Sequence, residues 1–283
     1  MTTNTNVKIL HLLSLISTDA KEYVKEAFKN SKVSVVYHEE SSKNQGTFCL
    51  VENIDQVIAY AVFNYDNTDQ ALLDLMAKKL RKYFTPNETK EICFNVYGKN
   101  TAIIKFVKEL GFVTDMEGFQ LKYSGNQTAD RLFPSPFIEK GFTKEMLGKF
   151  THLFDRAYFH LNKENGWSTA TDPDEFLEFL DYYESLGQVR SFWLDEDLIG
   201  AYIISGEYIR DFVVDPDFQN QGCGTIILEQ CIERLRAMKG IENILLRVAK
   251  SNTGAKRFYE KNNFIEIANF SEHTYAQKQV NRL

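Results

Sequence analysis

The sequence contains no apolar run approaching the roughly 20 residues that a membrane-spanning helix requires, so a membrane-embedded chain is not expected. Its opening residues, Met-Thr-Thr-Asn-Thr-Asn, carry no basic segment, and a secretory leader is not expected either. Positive charge is not in excess: 33 Lys and Arg stand against 39 Asp and Glu, a net charge of −6, which argues against a nucleic-acid surface. The four cysteines, Cys49, Cys93, Cys223 and Cys231, show no metal-ligand spacing, and the five histidines form no cluster, so no metal is expected. Cys223 and Cys231 sit across a turn and a helix, a poor geometry for a disulfide, and all four read as reduced thiols of a cytoplasmic protein.

What is present is ordinary globular composition, with 43% apolar and 25% charged residues, in a chain of 283 residues that suggests two domains or one large one. One stretch stands out, running from Arg210 to Thr225. Phe212-Val213-Val214 reads as a buried strand. Asp215-Pro216-Asp217 ends it, since Pro216 has no N–H for a ladder. Gly222-Cys223-Gly224 allows a sharp turn, and Ile226, Ile227, Cys231, Ile232 and Leu235 then recur at helical spacing. Strand, glycine turn and helix start together expose backbone N–H groups at a positive helix end, a seat for phosphate. An ordinary strand–helix connection would look much the same. Two phosphate loops are excluded: there is no Gly-Lys-Ser/Thr ending and no Gly-x-Gly-x-x-Gly.

The pattern Gln219-x-x-Gly222-x-Gly224 after a strand resembles the pyrophosphate loop of the GNAT superfamily, the acyl-CoA-dependent N-acetyltransferases. A second motif follows a further strand, Ile244–Val248: Asn252-x-x-Ala255-x-x-x-Tyr259, then Asn263-Phe264. It is similar to the family's Asn-x-x-Ala-x-x-x-Tyr helix and the Gly-Phe after it. Asn263 stands where Gly is usual, and Asn tolerates the positive φ such a turn needs. The resemblance implies acetyl-CoA as cosubstrate, held by Gln219, Asn220, Gln221, Gly222, Cys223, Gly224 and Thr225 at its pyrophosphate. It implies main-chain contacts from Phe212, Val213 and Val214 to the pantetheine, which would enter a gap where this strand splays from its neighbour. Asn252 would touch the pantetheine arm and Tyr259 would lie near the sulfur.

The first half repeats this order of elements. Strands are expected at 33–37, 46–51, 57–63 and 92–97, helices at 17–29, 70–84 and 100–110, and closing strands at 112–113 and 119–123. Asn100-Thr-Ala-Ile-Ile-Lys-Phe-Val-Lys-Glu-Leu-Gly-Phe112 lies over Asn252–Phe264 without a gap, matching Asn, Thr and both Phe residues. The segment Asn64–Gln70, however, has no glycine and carries Asp66 and Asp69, which would repel a pyrophosphate. Val107 stands opposite Tyr259. The expected fold is therefore mixed α/β: two tandem GNAT folds, each a mostly antiparallel mixed sheet flanked by helices. Residues 1–128 would form a degenerate copy without an acyl-CoA loop, and residues 129–283 the acetyltransferase.

In the second half, Thr143 is expected to cap a helix running toward Leu161, and Asp172-Pro173-Asp174-Glu175 to start another. A hairpin is expected around Asp195-Glu196-Asp197, and two last strands at 264–270 and 273–280. The aromatic segment Tyr158–Trp167 would wall the acceptor pocket, or serve as ordinary core. The resemblance implies transfer of an acetyl group to a primary amine in a ternary complex. It needs a proton acceptor for the amine, an oxyanion donor, for which a backbone N–H near Val214 is a candidate, and a proton for the departing thiolate. Tyr259 suits the last role. Glu207 or Asp211, placed on one face of the strand by alternation, could accept the amine proton, and a mechanism without a side-chain base is equally open. Acidic residues near the pocket would suit a cationic amine acceptor. Two other readings stay open: a CoA-binding regulatory or assembly module without turnover, and O-acyl or longer-chain acyl transfer. Members of the family often dimerise, which makes a homodimer one expectation, with no interface marked in the sequence.

Overall fold

The computed structural model describes residues 3–16, 18–67, 69–85, 89–125 and 136–275. In chain order the helices are α1 (Thr3–Ser14), α2 (Thr18–Lys29), α3 (Gln70–Leu80), α4 (Thr101–Glu109), α5 (Leu147–Asn165), α6 (Pro173–Ser185), α7 (Cys223–Ala237) and α8 (Thr253–Lys261). The strands are β1 (Val33–Glu40), β2 (Gln45–Glu52), β3 (Gln56–Phe63), β4 (Glu91–Gly98), β5 (Phe112–Tyr123), β6 (Ile138–Lys140), β7 (Val189–Leu194), β8 (Asp197–Ser205), β9 (Tyr208–Val214), β10 (Leu245–Ala249) and β11 (Phe264–Tyr275). The chain divides into two compact units, Met1–Phe119 with Ile267–Leu283, and Gln120–Glu266. The boundary expected near 128 lies outside the described residues.

In the first unit the strand order is β1-β2-β3-β4-β11-β5; β1–β2, β2–β3 and β4–β11 are antiparallel, and β3 and β4 are parallel. Its strands are apolar on both faces because helices cover both. Ile9, Leu12, Leu13 and Ile16 of α1 and its end, with Val24 and Ala27 of α2, pack on Cys49, Val51, Tyr60, Val62 and Phe270. Leu72, Met76 and Leu80 of α3, with Ile103 and Val107 of α4, pack on Phe48, Leu50, Ala59, Ala61, Phe63 and Phe94. Neighbouring residues along β2 and β3 thus serve opposite cores, as a doubly covered sheet requires. Asp69 caps α3 by accepting from the Ala71 N–H at 3.0 Å.

In the second unit the order is β5-β10-β9-β8-β7-β6, with β9 and β10 parallel. Phe150, Leu153 and Phe154 of α5 and Phe176, Leu180 and Tyr183 of α6 pack on one face, against Val189, Trp193, Ala201, Ile203 and Val213. Helix α7 buries Ile227, Leu228, Cys231, Ile232 and Leu235. Asp172 caps α6 from its side chain, with Pro173 at the first helical position, as expected. Helix α5 begins with a 3-10 turn, Lys144–Met146, and ends at Gly166 in the left-handed region.

The mixed α/β fold, with mostly antiparallel sheet flanked by helices, agrees with the sequence reading. Local expectations need correction. Helix α1 lies where the sequence reading places no element, and the Thr143 side chain makes no capping hydrogen bond at the start of Lys144–Met146. The closing strands of each half are not pairs of short strands: β5 is one run of 12 residues, and so is β11, whose residues replace the two strands expected at 264–270 and 273–280 as far as Tyr275. Residues 276–280 lie outside the described residues. All four cysteines are free thiols, and burial pushes the Cys49 thiol up to about 12. Among the described residues no helix is long and apolar enough to cross a membrane.

Candidate active site

The site grows from a strand that loses its neighbour. Strand β9 pairs with β8 from Ser205–Tyr208 to Gly200–Val214. Toward β10, among the described residues, it pairs only at Tyr208–Leu245 and Ile209–Leu246. From Arg210 to Val214 that edge is open. The cause is local: Ile203 lies opposite Asp211 while Ile204 lies opposite Ile209, so Arg210 is an extra residue in β9. Such a bulge bends its strand and raises the twist.

The loop after β9 is stiffened from several sides. Asp215, 6% exposed, accepts from the Asp217 N–H at 2.9 Å, and Gln219 Nε2 donates to Val214 O at 2.9 Å. Arg156 of α5 bridges Asp215 and Asp217 at 3.2 and 2.9 Å. Asn220 and Gly222 both take positive φ, 59° and 85°, and α7 then starts with no side-chain cap. Gly222 is the residue for this position because a Cβ would strain the left-handed backbone. Among the described residues, the N–H groups of Asn220, Gln221, Gly222, Cys223 and Gly224 meet no protein acceptor. Five consecutive free donors at a helix N-terminus are an arrangement suited to an anion.

Asn252 caps α8, accepting from the Ala255 N–H at 3.0 Å, and Asn263 adopts φ 66°, as expected for the turn it makes. Tyr259 of α8 is 8% exposed, ringed by Phe212, Phe258 and Phe264 at centroid distances of 6.2, 5.3 and 5.6 Å. Its hydroxyl, among the described residues, has no hydrogen-bond partner. Burial, then the neighbouring Cys231 and Asp211, holds this phenol well above its ordinary value, so it stays protonated.

Asp211 is half-buried and accepts from the Tyr158 hydroxyl of α5 at 3.1 Å. Burial raises its carboxyl above the usual range, opposed by the Arg210 guanidinium and by the Tyr158 hydrogen bond. Burial likewise pushes the Tyr158 phenol well up, with Asp211 and Tyr259 adding to it. Tyr158 and Tyr259 come from helices on opposite faces of the sheet, and both feel Asp211 across the opened edge of β9.

Glu207 is elsewhere. It lies in the turn before β9, and its carboxylate accepts from the N–H groups of Glu242 and Asn243 at 3.2 and 3.3 Å. The bulge also breaks the alternation that was to place Glu207 and Asp211 on one face. The structure therefore brings together Asp211, Phe212, Val213, Val214, the start of α7 and Tyr259, sets Asn252 at the start of α8, and leaves Glu207 at the far end of the strand. Tyr158, Arg210 and Arg156 were not singled out as site residues by sequence. Tyr158 was named only within an aromatic segment. Among the described residues no group of three or more His, Cys, Asp or Glu side chains is placed to hold a metal.

Residues 148–264 match the family model described as "Acetyltransferase (GNAT) family". No curated protein matches the chain. Among solved structures, the chain is similar to an acetyltransferase from the GNAT family of Colwellia psychrerythraea, at 11% identity over 84% of both chains, with a TM-score of 0.52. It is similar to a GCN5-related N-acetyltransferase from Kribbella flavida, at 12% identity over 96% of both chains, TM-score 0.51. A third, a GCN5-related N-acetyltransferase from Sphaerobacter thermophilus, has 12% identity over 81% of this chain and 76% of that one, TM-score 0.50. At such identities the likeness is one of fold.

Proposed function

We propose, from the match of residues 148–264 to the GNAT acetyltransferase family, that the chain moves an acetyl group from acetyl-CoA to a primary amine at the opened edge of β9. The observation that carries this is the union of a strand edge freed by a bulge with five free N–H groups at the start of α7. The free amides of Asn220–Gly224, flanked by Gln219 and Thr225, suit a pyrophosphate. The open edge at Phe212–Val214 offers main-chain partners for the amides of a pantetheine arm, and Asn252 would meet the arm from the start of α8. Acetyl-CoA supplies an activated acyl thioester.

The residues around the gap divide the proton traffic. Asp211, raised by burial and held by Tyr158, takes the proton an ammonium must lose before it attacks. Of the two candidate carboxylates the geometry favours Asp211, because Glu207 is engaged with the 242–243 amides. A C–N bond forms and the C–S bond breaks; the unpartnered Tyr259 hydroxyl gives its proton to the departing sulfur, and the second proton shed by the nitrogen restores the phenol. A main-chain N–H near Val214 is suited to the oxyanion.

The first unit reads as a second copy of the fold without this site. Its parallel pair, β3 and β4, is joined along its whole length, from Gln56–Glu91 to Phe63–Gly98. Donors at the start of α3 are taken up by side chains: the Asp69 N–H donates to Asn67 Oδ1 and the Ala71 N–H to Asp69 Oδ1, each at 3.0 Å. Val107 is fully buried. Duplication has further support in α1 and α5. Lys8-Ile-Leu-His11-Leu12 matches Lys149-Phe-Thr-His152-Leu153, and both segments line a cleft, of about 390 and 370 Å3, against the hairpin of their own unit. Lys8 Nζ reaches Glu40 at 2.6 Å and Lys149 Nζ reaches Glu196 O at 2.7 Å.

The test is a thermal-shift titration with acetyl-CoA on wild type and Gly222→Glu, watching both melting transitions. Ligand at about a hundred times Kd stabilises the binding unit by roughly 2.7 kcal/mol. One transition is expected to shift, and Gly222→Glu, which places a carboxylate and a strained φ in the cradle, is expected to abolish the shift. A shift that survives in Gly222→Glu, or appears in both transitions, would sink this assignment. Thiol release over an amine panel then separates turnover from binding alone.

A further inference from the structure

The bulge in β9 does more than free an edge. In an unbroken strand, consecutive side chains point to opposite faces. Here both Arg210 and Asp211 reach helices on the same face. Arg210 Nη1 donates to the Tyr183 hydroxyl of α6 at 3.0 Å, and Asp211 accepts from Tyr158 of α5. The two charges stand side by side, Arg210 Nε to Asp211 Oδ2 at 3.5 Å, beneath the helices α5 and α6. The guanidinium is stacked on Phe179 and Tyr183, at 4.9 and 5.3 Å from the ring centroids. Stacking fixes its plane, yet its side chain is 44% exposed, and among the described residues its Nη2 donors meet no protein acceptor.

We infer that the acceptor is a small zwitterion, an amino acid or a close analogue with a free carboxylate, its ammonium set against Asp211 and its carboxylate against the fork of Arg210. This rests on the proposed transferase reading of the same site. The charge balance decides among acceptor classes. A polyamine or a lysine side chain brings positive charge only, and a guanidinium 3.5 Å from the receiving carboxylate offsets its attraction. A molecule carrying both charges close together satisfies both groups. A planar, pre-oriented guanidinium with spare donors is the residue suited to bidentate carboxylate recognition. The adjacent residues also match the short spacing between the amine and carboxylate of an amino acid. Arg210 is a binding residue in this scheme, and Tyr158, which acts through Asp211, is a positioning residue.

The experiment measures acetyl-CoA-dependent thiol release with the common amino acids, the amines obtained from them by decarboxylation, and spermidine. Wild type is expected to accept at least one amino acid with KM lower by about tenfold or more than its decarboxylated partner, as a lost charge-assisted contact implies. Arg210→Met is expected to erase that difference by raising KM for the amino acid, with kcat changed less. Arg210→Lys is expected to restore part of it, because it keeps the charge and loses the fork. Retention of the acetyl-CoA thermal shift in Arg210→Met shows that the variant folds. Equal use of amino acid and amine by wild type, preference for spermidine, or acetyl-CoA binding with no zwitterion consumed would each overturn the inference while leaving the cofactor site standing. Loss of the acetyl-CoA shift in wild type would instead remove the transferase reading beneath it.

Discussion

Strands β3 and β4 in the first unit and β9 and β10 in the second are both parallel pairs, and they end differently. The first pair stays joined to Phe63–Gly98, while the second parts after Ile209–Leu246. Two devices account for this. In the second pair, the extra residue Arg210 bends β9 just where pairing stops. In the first, Asn100 is fully buried and sews the strand ends together, donating from Nδ2 to Tyr97 O at 2.5 Å and to Phe63 O at 3.3 Å. Gly98, at φ 110°, lets the backbones approach so closely that a Cβ there would lie 1.7 Å from Phe63 O. Asn252, the residue aligned with Asn100, caps its own helix instead. The same side chain closes one pair and leaves the other free, so residue identity at a motif position does not disclose whether the motif's site exists.

The contrast can be broken at its tightest point. Gly98→Val sets a branched side chain against the Phe63 carbonyl at positive φ, and is expected to cost about 3 kcal/mol or more, read as a lower denaturant midpoint of the first unit. Tyr259→Phe is expected to lower kcat about a hundredfold, equivalent to about 2.7 kcal/mol, with little change in acetyl-CoA affinity; an unchanged kcat would remove Tyr259 from the proton path. Asn100→Ala strands two buried carbonyls and is expected to destabilise by about 2 kcal/mol, against about 1 kcal/mol for the lost cap in Asn252→Ala. Equal costs in the two variants would dissolve the distinction between stitch and cap.

The smallest effect sharpens the comparison through pH. Asp211 must be ionised to accept a proton, and burial raises its carboxyl. The rise of kcat/KM is therefore expected at higher pH than an ordinary aspartate would give. Tyr158→Phe removes a hydrogen bond that lowers this value, and moves the acid limb further up. A limb unmoved by Tyr158→Phe would detach Asp211 from the rate.

The sequence disclosed most where the structure is local. The glycine loop, the α6 cap at Asp172 and the positive φ of Asn263 depend on neighbours a few residues away. It disclosed least where distant residues meet. Tyr158 and Asp211 are 53 positions apart, and no spacing rule pairs them. The bulge at Arg210 is invisible in the sequence of β9, because an extra residue leaves no compositional mark, and it undoes the alternation that would set Glu207 and Asp211 on one face. Helix α1 is also legible locally, since Ile9, Leu12, Leu13 and Ile16 stand at helical spacing.

The membership of Ile267–Tyr275 in the first unit has a consequence in time. Asn269 lies opposite Gly98, and its side chain meets the Asn100 N–H across 169 positions of sequence. A chain grows from its N-terminus. The unit that begins first is therefore completed last, after every residue of Gln120–Glu266 has been made. Until then the β4 edge, with Ile92, Phe94 and Val96, waits without its partner strand, and closing so long a loop is slow. A nascent chain halted at Glu266 is thus expected to hold a finished C-terminal unit beside an N-terminal one still open to proteases and to wrong strands.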